Sequence, residues 1–269
     1  MTQLSTKMAI DTNNSKIVLV TGANQGLGLA VIEVAGLRYP SNTYVLCARD
    51  IERGISAINK LRELGVKANV DLVELDVTND DQIAATVKHV ETKYGRLDVL
   101  VNNAGFVRLG HQDTELSAMR TTYNEYMNVH ITSVAVVTYA FTPLLHQSAS
   151  PKVINVTSGL GSITNVLSPR RMGRVPPYGA SKVGMNGLTA HLQVGENERV
   201  AAGDTKPRIR FFISNPGLLK TAFSNYIAWG KEPQAGAESI VQLLGDDAGK
   251  FDHGMQWEHE EGQMRIVPW

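Results

Sequence analysis

The run Ile17-Val18-Leu19-Val20 passes without a spacer into Thr21-Gly22-Ala23-Asn24-Gln25-Gly26-Leu27-Gly28, and an apolar helical period begins inside that glycine turn. A strand that becomes a helix within so few residues commits this part of the chain to a βα unit. The turn is also suited to an anion. Glycines let the backbone bend sharply and approach a pyrophosphate closely, while the exposed N–H groups and dipole of the helix start favour negative charge. The spacing is G-x-x-x-G-x-G rather than G-x-G-x-x-G, and a tight turn alone also calls for glycine. Its place directly after the first strand favours the dinucleotide reading, with Gly22, Asn24, Gln25, Gly26, Leu27 and Gly28 forming the cradle.

Five further β-branched runs follow, at residues 44–46, 70–75, 99–101, 153–156 and 209–213. Segments with helical spacing separate them, at 27–37, 51–64, 83–94 and a long stretch at 116–145. Strand alternating with helix predicts an α/β fold of right-handed βαβ units, a Rossmann-type doubly wound parallel sheet with helices on both faces. No repeat or linker divides the chain, so residues 16–269 are expected to form a single domain behind a loose N-terminal arm at 1–15. The segment 168–177, rich in Pro and Arg, reads as a solvated surface loop.

Lysine plus arginine equal aspartate plus glutamate at 26 each, so no global field draws the chain to nucleic acid or to an anionic membrane. Polar residues interrupt every apolar stretch before the roughly 18 residues of a membrane span. Cys47, the single cysteine, lies in the apolar run Tyr44-Val45-Leu46-Cys47-Ala48 and reads as a buried structural thiol in a reducing compartment. With a polar start and no secretory signal, the expected location is cytoplasmic. The seven histidines include no His-x-x-x-His pair, so no metal site is expected, and His253 and His259 in the acidic tail read as solvated.

A dinucleotide site needs a group after the second strand to read the adenosine ribose. Arg49 there would pair with a 2′-phosphate and imply NADP(H); Asp50 as the ribose ligand would imply NAD(H). Further on, Tyr178 and Lys182 stand four residues apart, on one face of an amphipathic helix. An ammonium beside a phenol stabilises the phenolate, which would bring tyrosine into the range for acid–base work near neutral pH. Ser158 follows the fifth strand, at the sheet edge where open α/β folds place ligands.

Taken in order, these motifs resemble the short-chain dehydrogenase/reductase superfamily over nearly the whole chain after residue 15. The resemblance rests on the glycine turn, Asp76-Val77, Asn102-Asn103-Ala104-Gly105, Asn128, Ser158, Tyr178 with Lys182, and Asn215-Pro216-Gly217 with Thr221. It implies that Asp76 and Val77 hold the adenine, that Asn102, Ala104 and Gly105 back the cofactor, and that Pro216, Gly217 and Thr221 reach toward its nicotinamide. It also implies a catalytic set in which Ser158 holds the substrate oxygen, Tyr178 protonates it, Lys182 holds the ribose and lowers the Tyr178 pKa, and Asn128 positions a water. Arg49 matches the position of the NADP-type arginine, although Gln25 stands where many such relatives carry a basic residue. Residues 47–54 and 265–269 look most like carbonyl-reductase-type members.

The implied activity is NADPH-dependent reduction of a small ketone or aldehyde, or the reverse oxidation of an alcohol. Phe106, Leu160, Leu167, Phe223, Tyr226 and Trp229 would give the substrate an apolar surround. An NAD-dependent alcohol dehydrogenase and a non-catalytic NADP(H)-binding sensor are the competing functions on this fold. The twenty-position gap from Ser158 to Tyr178 leaves both a homodimer and a homotetramer open.

Overall fold

The computed structural model describes residues 15–110, 113–169 and 174–269. Nearly all of the expected N-terminal arm lies outside them, as does the centre of the expected loop at 168–177. Eight strands form one sheet: β1 (Ile17–Val20), β2 (Thr43–Ala48), β3 (Asn69–Glu74), β4 (Val99–Asn102), β5 (Lys152–Val156), β6 (Arg210–Asn215), β7 (Gln256–Glu260) and β8 (Gln263–Ile266). Their order is β3-β2-β1-β4-β5-β6-β7-β8. All neighbours are parallel except β7 and β8, which form an antiparallel hairpin at one edge. The strand order reverses between β1 and β4, which opens a crevice at their carboxyl ends.

Side chains alternate across a strand, so the inner strands, covered on both sides, read as continuous apolar runs. Val18, Val20, Tyr44, Leu46, Val99, Val101, Ile154 and Phe212 pack on one face against α1 (Gly26–Arg38) and α8 (Pro233–Gly245). Ile17, Leu19, Val45, Cys47, Leu100, Val153 and Phe211 pack on the other, against α3 (Asp80–Tyr94) and α5 (Ser133–Leu145). Cys47 is fully buried, and burial pushes its thiol pKa up, as a structural thiol requires.

Helix ends follow local chemistry. The Asp50 carboxylate caps α2 (Ile51–Glu63) by accepting from Arg53 N–H at 3.1 Å. Asn79 does the same for α3 through Gln82 N–H, and Gly95, with φ of 74°, ends that helix in the left-handed region.

Four expectations need correction. The stretch at 116–145 is not one regular helix: α4 (Leu116–Met127) and α5 are joined by a π-turn at Asn128–Thr132, in which Ser133 N–H reaches Asn128 O. By length and composition that stretch is apolar enough to cross a membrane, contrary to the expectation of none; here Val137, Phe141, Leu144 and Leu145 sink one side of it into the core. Pro176 and Pro177 are not loop residues but open α7 (Pro176–Ala201), where a missing N–H costs nothing. The acidic tail is the β7–β8 hairpin, which half-buries His259. Two helices, α6 (Ile163–Leu167) and α8, escaped the sequence reading.

Candidate active site

Where β1 ends, Thr21 and Asn103 lace two strand ends together. The Thr21 hydroxyl accepts from the N–H groups of Asn103 and Ala104, both at 3.0 Å. The Asn103 side-chain amide donates to Thr21 O at 2.8 Å and Gly22 O at 3.1 Å. This lacing explains two glycines. Gly22 has φ of 63°, and a Cβ on it would come within 3.0 Å of Ala104 Cα; a Cβ on Gly28 would meet Asn103 Nδ2 at 2.6 Å and Gly22 O at 2.8 Å. Gly26, with φ of 56°, lies beside Thr221 across the crevice. Neither Thr21 nor Asn103 stood among the expected site residues, although both lie within the quoted motifs.

The residues present suit a dinucleotide. The first turn of α1 has no side-chain cap and no acidic residue, so its N–H groups are open to an anion. Asn24 is half-buried and Gln25 exposed at this mouth, and neither makes a side-chain hydrogen bond among the described residues. Leu27 packs against the core. Beyond β2 the Arg49 guanidinium is exposed and unpaired among the described residues, in a cleft it shares with Asp76, Thr78, Asn79, Asp80, Asp81 and Gln82. Asp50, its competitor as ribose ligand, is engaged as the α2 cap and ion-pairs with Arg53. Asp76 accepts from Thr78 N–H at 2.9 Å and from the Thr78 hydroxyl at 2.7 Å. Val77 lines a second small cleft with Thr21, Asn102, Ala104, Val129, Ser133 and Val134.

Asn102 faces inward. Its amide donates to Asn155 Oδ1 at 2.8 Å and Thr138 Oγ1 at 3.1 Å, and Asn155 passes the chain on to Thr189 Oγ1 at 2.9 Å. On the far side, Gly217 N–H donates to Asn215 Oδ1, which fixes the turn after β6; Gly217 has φ of 78° and Pro216 is buried.

Ser158, Tyr178 and Lys182 come together at the ends of β5 and α7. Tyr178 and Lys182 are both buried, and the Ser158 hydroxyl acts on the phenol to lower its pKa. The Ser158 hydroxyl also accepts from Leu160 N–H at 3.2 Å, capping a short 3₁₀ turn at Gly159–Gly161. The Lys182 ammonium donates to Val156 O at 2.8 Å and stands 5.7 Å from the Tyr178 ring centre. Burial drives both groups toward their neutral forms: the Tyr178 pKa is raised, against the lowering effect of the Ser158 hydroxyl, and the Lys182 pKa falls to about 7. The expected lowering of the Tyr178 pKa by Lys182 is therefore not present here, because desolvation outweighs any help from the lysine. Asn128 opens the π-turn, exposed and without a side-chain hydrogen bond among the described residues.

Aromatic rings wall this corner. Phe106 stacks on Tyr126 at 4.5 Å, and Tyr178 is met edge-on by His130 at 5.5 Å and by Phe223 at 5.8 Å. Of the other apolar candidates, Leu160 abuts Gly179, whereas Leu167, Tyr226 and Trp229 are exposed. No cluster of His, Cys, Asp and Glu able to hold a metal occurs among the described residues.

A glycine turn at the switch point of a doubly wound sheet, with a tyrosine, lysine and serine at its edge, defines an NAD(P)-dependent oxidoreductase. The short chain dehydrogenase family model matches residues 16–230, and the chain belongs to the short-chain dehydrogenase/reductase family. It is 84% identical over 262 residues to a short-chain dehydrogenase/reductase of Aspergillus fumigatus, covering 97% of this chain and 100% of that protein. A Penicillium roqueforti short-chain dehydrogenase is 32% identical over 87% of this chain and 90% of its own length. In fold it is similar to the NADPH-bound carbonyl reductase from chicken fatty liver, with a TM-score of 0.78, 24% identity, and 95% of this chain and 100% of that one covered.

Proposed function

We propose that this chain is an NADPH-dependent reductase acting on the carbonyl of a small, fairly apolar ketone or aldehyde, and in reverse on the corresponding alcohol. The observation that carries this reading is the corner itself: Tyr178 buried beside Lys182 on α7, with Ser158 at the adjoining end of β5. A nicotinamide dinucleotide bound at the glycine turn supplies the hydride. The chain supplies placement and protons. Ser158 donates a hydrogen bond to the carbonyl oxygen, and Tyr178 delivers a proton to the same oxygen as negative charge builds on it. Lys182 holds the ribose and replaces part of the solvation the phenolate lacks. Phe106, Tyr126 and Phe223 keep water from the reacting carbon, and Asn128, at the exposed mouth, orients the water that reprotonates the site. Arg49 supports the choice of NADPH, because it is an unpaired guanidinium at the ribose end while Asp50 is committed to its helix.

Tyr178→Phe tests the reading: it keeps the ring and its edge contacts but removes the proton. NADPH should bind as before by calorimetry while turnover on the best carbonyl found in a screen drops by about 10²–10⁴. Near-normal turnover would show that the acid lies elsewhere.

A further inference from the structure

His130 is fully buried in the π-turn, between the loop after β4 and the first turn of α7. Its Nε2 accepts from Phe106 N–H at 3.2 Å. On the other side Nδ1 lies 2.8 Å from Ser181 Oγ, and that hydroxyl donates its hydrogen to Tyr178 O at 2.7 Å. These partners fix the tautomer. Nε2 is an acceptor, and the Ser181 hydrogen is already spent, so Nδ1 must carry the proton and donate to Ser181. The ring also meets Tyr178 edge-on and packs near Tyr126 and Phe106.

We propose that His130 is a positioning residue, which holds the Tyr178 phenol in register with the Asn102–Phe106 loop by bonding Phe106 N–H on one side and the Ser181–Tyr178 turn on the other. This rests on the proposed role of Tyr178 as proton donor. Among the described residues the loop and the α7 turn have no direct hydrogen bond to each other, so the imidazole spans them. Gly105 is shaped to the ring as well, since a Cβ there would come within 3.0 Å of Nε2. Burial, with the nearby Lys182 charge, holds the imidazole pKa down at about 2, so the clamp keeps one protonation state. The π-turn provides the means: its extra residue lets the helix present His130 here and still return Val137 and Phe141 to the core.

Two variants and one spectrum test the proposal. His130→Phe keeps a flat ring but loses both bonds; kcat should fall about 10- to 100-fold, the scale of a small misplacement of a reacting group. The pH profile of kcat should shift on the limb set by Tyr178, while the NADPH Kd from calorimetry stays within about twofold. His130→Asn puts an amide near the Nδ1 position, regains the Ser181 bond, and should recover part of kcat. In the unaltered protein, ¹⁵N shifts of the His130 ring should report a neutral Nδ1–H tautomer that does not titrate between about pH 5 and 8. A folded His130→Phe protein with normal kcat and pH profile would overturn the proposal, as would an Nε2–H tautomer or a titrating ring. If His130→Phe does not fold, the Asn variant and the spectrum decide. Absence of turnover in the unaltered protein would instead remove the reductase reading, and the tautomer would still decide whether the clamp exists.

Discussion

Lys182 leads to a pH dependence of cofactor binding whose sign and size follow from its surroundings. Among the described residues its ammonium has one hydrogen-bond partner, Val156 O, and burial holds its pKa at about 7 instead of the ordinary 10.5. A dinucleotide in the crevice brings ribose hydroxyls and net negative charge, both of which favour the ammonium, so the bound complex should keep Lys182 charged well above neutrality. The charged form is then the one that binds. As pH rises through 7 that form becomes scarce, and the affinity for NADPH should fall by up to tenfold for each pH unit until the pKa of the bound state is reached. One unit above the midpoint, about one molecule in eleven carries the charge, so binding there should take up about 0.9 proton, against about 0.1 one unit below. Calorimetry in two buffers of different ionisation enthalpy measures that uptake directly, and Lys182→Met should abolish it. A Kd that stays flat between about pH 6 and pH 9, with an enthalpy independent of buffer, would refute the reasoning.

Other substitutions probe the remaining parts. Arg49→Ala should weaken NADPH by about 1.5–3 kcal/mol, roughly a tenfold to hundredfold rise in Kd, and leave NADH unchanged; equal loss with both cofactors in a binding titration would count against a 2′-phosphate contact. Gly28→Ala pushes a methyl into Asn103 Nδ2 and the backbone at Gly22 and Ala23, contacts that cannot all retreat. A cost of about 1–3 kcal/mol should appear as a Tm lower by about 2–6 °C, together with weaker cofactor binding; an unchanged Tm would mean the lacing is looser than it looks. Because the Lys182 pKa is depressed on folding, the unfolded chain binds more protons between about pH 7 and 10, so this residue's contribution to stability rises with pH across that window. Thermal melts of the Lys182→Met protein should therefore gain less than the unaltered protein between about pH 7 and 9.

Six of the eight strands and the main helices were legible because their signals are local: β-branched runs, amphipathic spacing, a glycine turn between them. The β7–β8 hairpin was not. Gln256-Trp257-Glu258-His259-Glu260 carries no apolar run, and it becomes a strand because Gln256, Trp257 and Glu258 pair with Ile213, Ser214 and Asn215 of β6. A neighbour distant in sequence supplies that signal. The π-turn was hidden for a related reason, since its polar Asn128 and His130 break no helical period strongly enough to reveal one extra residue. For the site, the order of the motifs placed Ser158, Tyr178 and Lys182 together, and the fold does bring them together. Proximity alone also suggested a lowered phenol pKa. Burial is a property of the assembled corner, and it reverses that sign.

The motif residues divide into those left open to a ligand and those already consumed by the protein. Arg49 and the first N–H groups of α1 are open. Thr21, Asn102 and Asn103 are consumed, each tied to a strand end or a helix, and through Asn155 and Thr189 the ties reach α7 a few residues beyond Lys182. These buried amides have the partners that burial demands, so they add rigidity where an unpaired polar group would subtract stability. The cofactor crevice and the tyrosine helix are thus tied by two sets of hydrogen bonds that meet at the Asn102–Asn103 peptide: one from Asn103 to the glycine turn, the other from Asn102 through β5 to α7. A substitution at Asn155, which touches neither Tyr178 nor the glycine turn, would cost Asn102 and Thr189 one partner each, leaving them only Thr138 Oγ1 and Met185 O, and would cut the tie between β4 and α7.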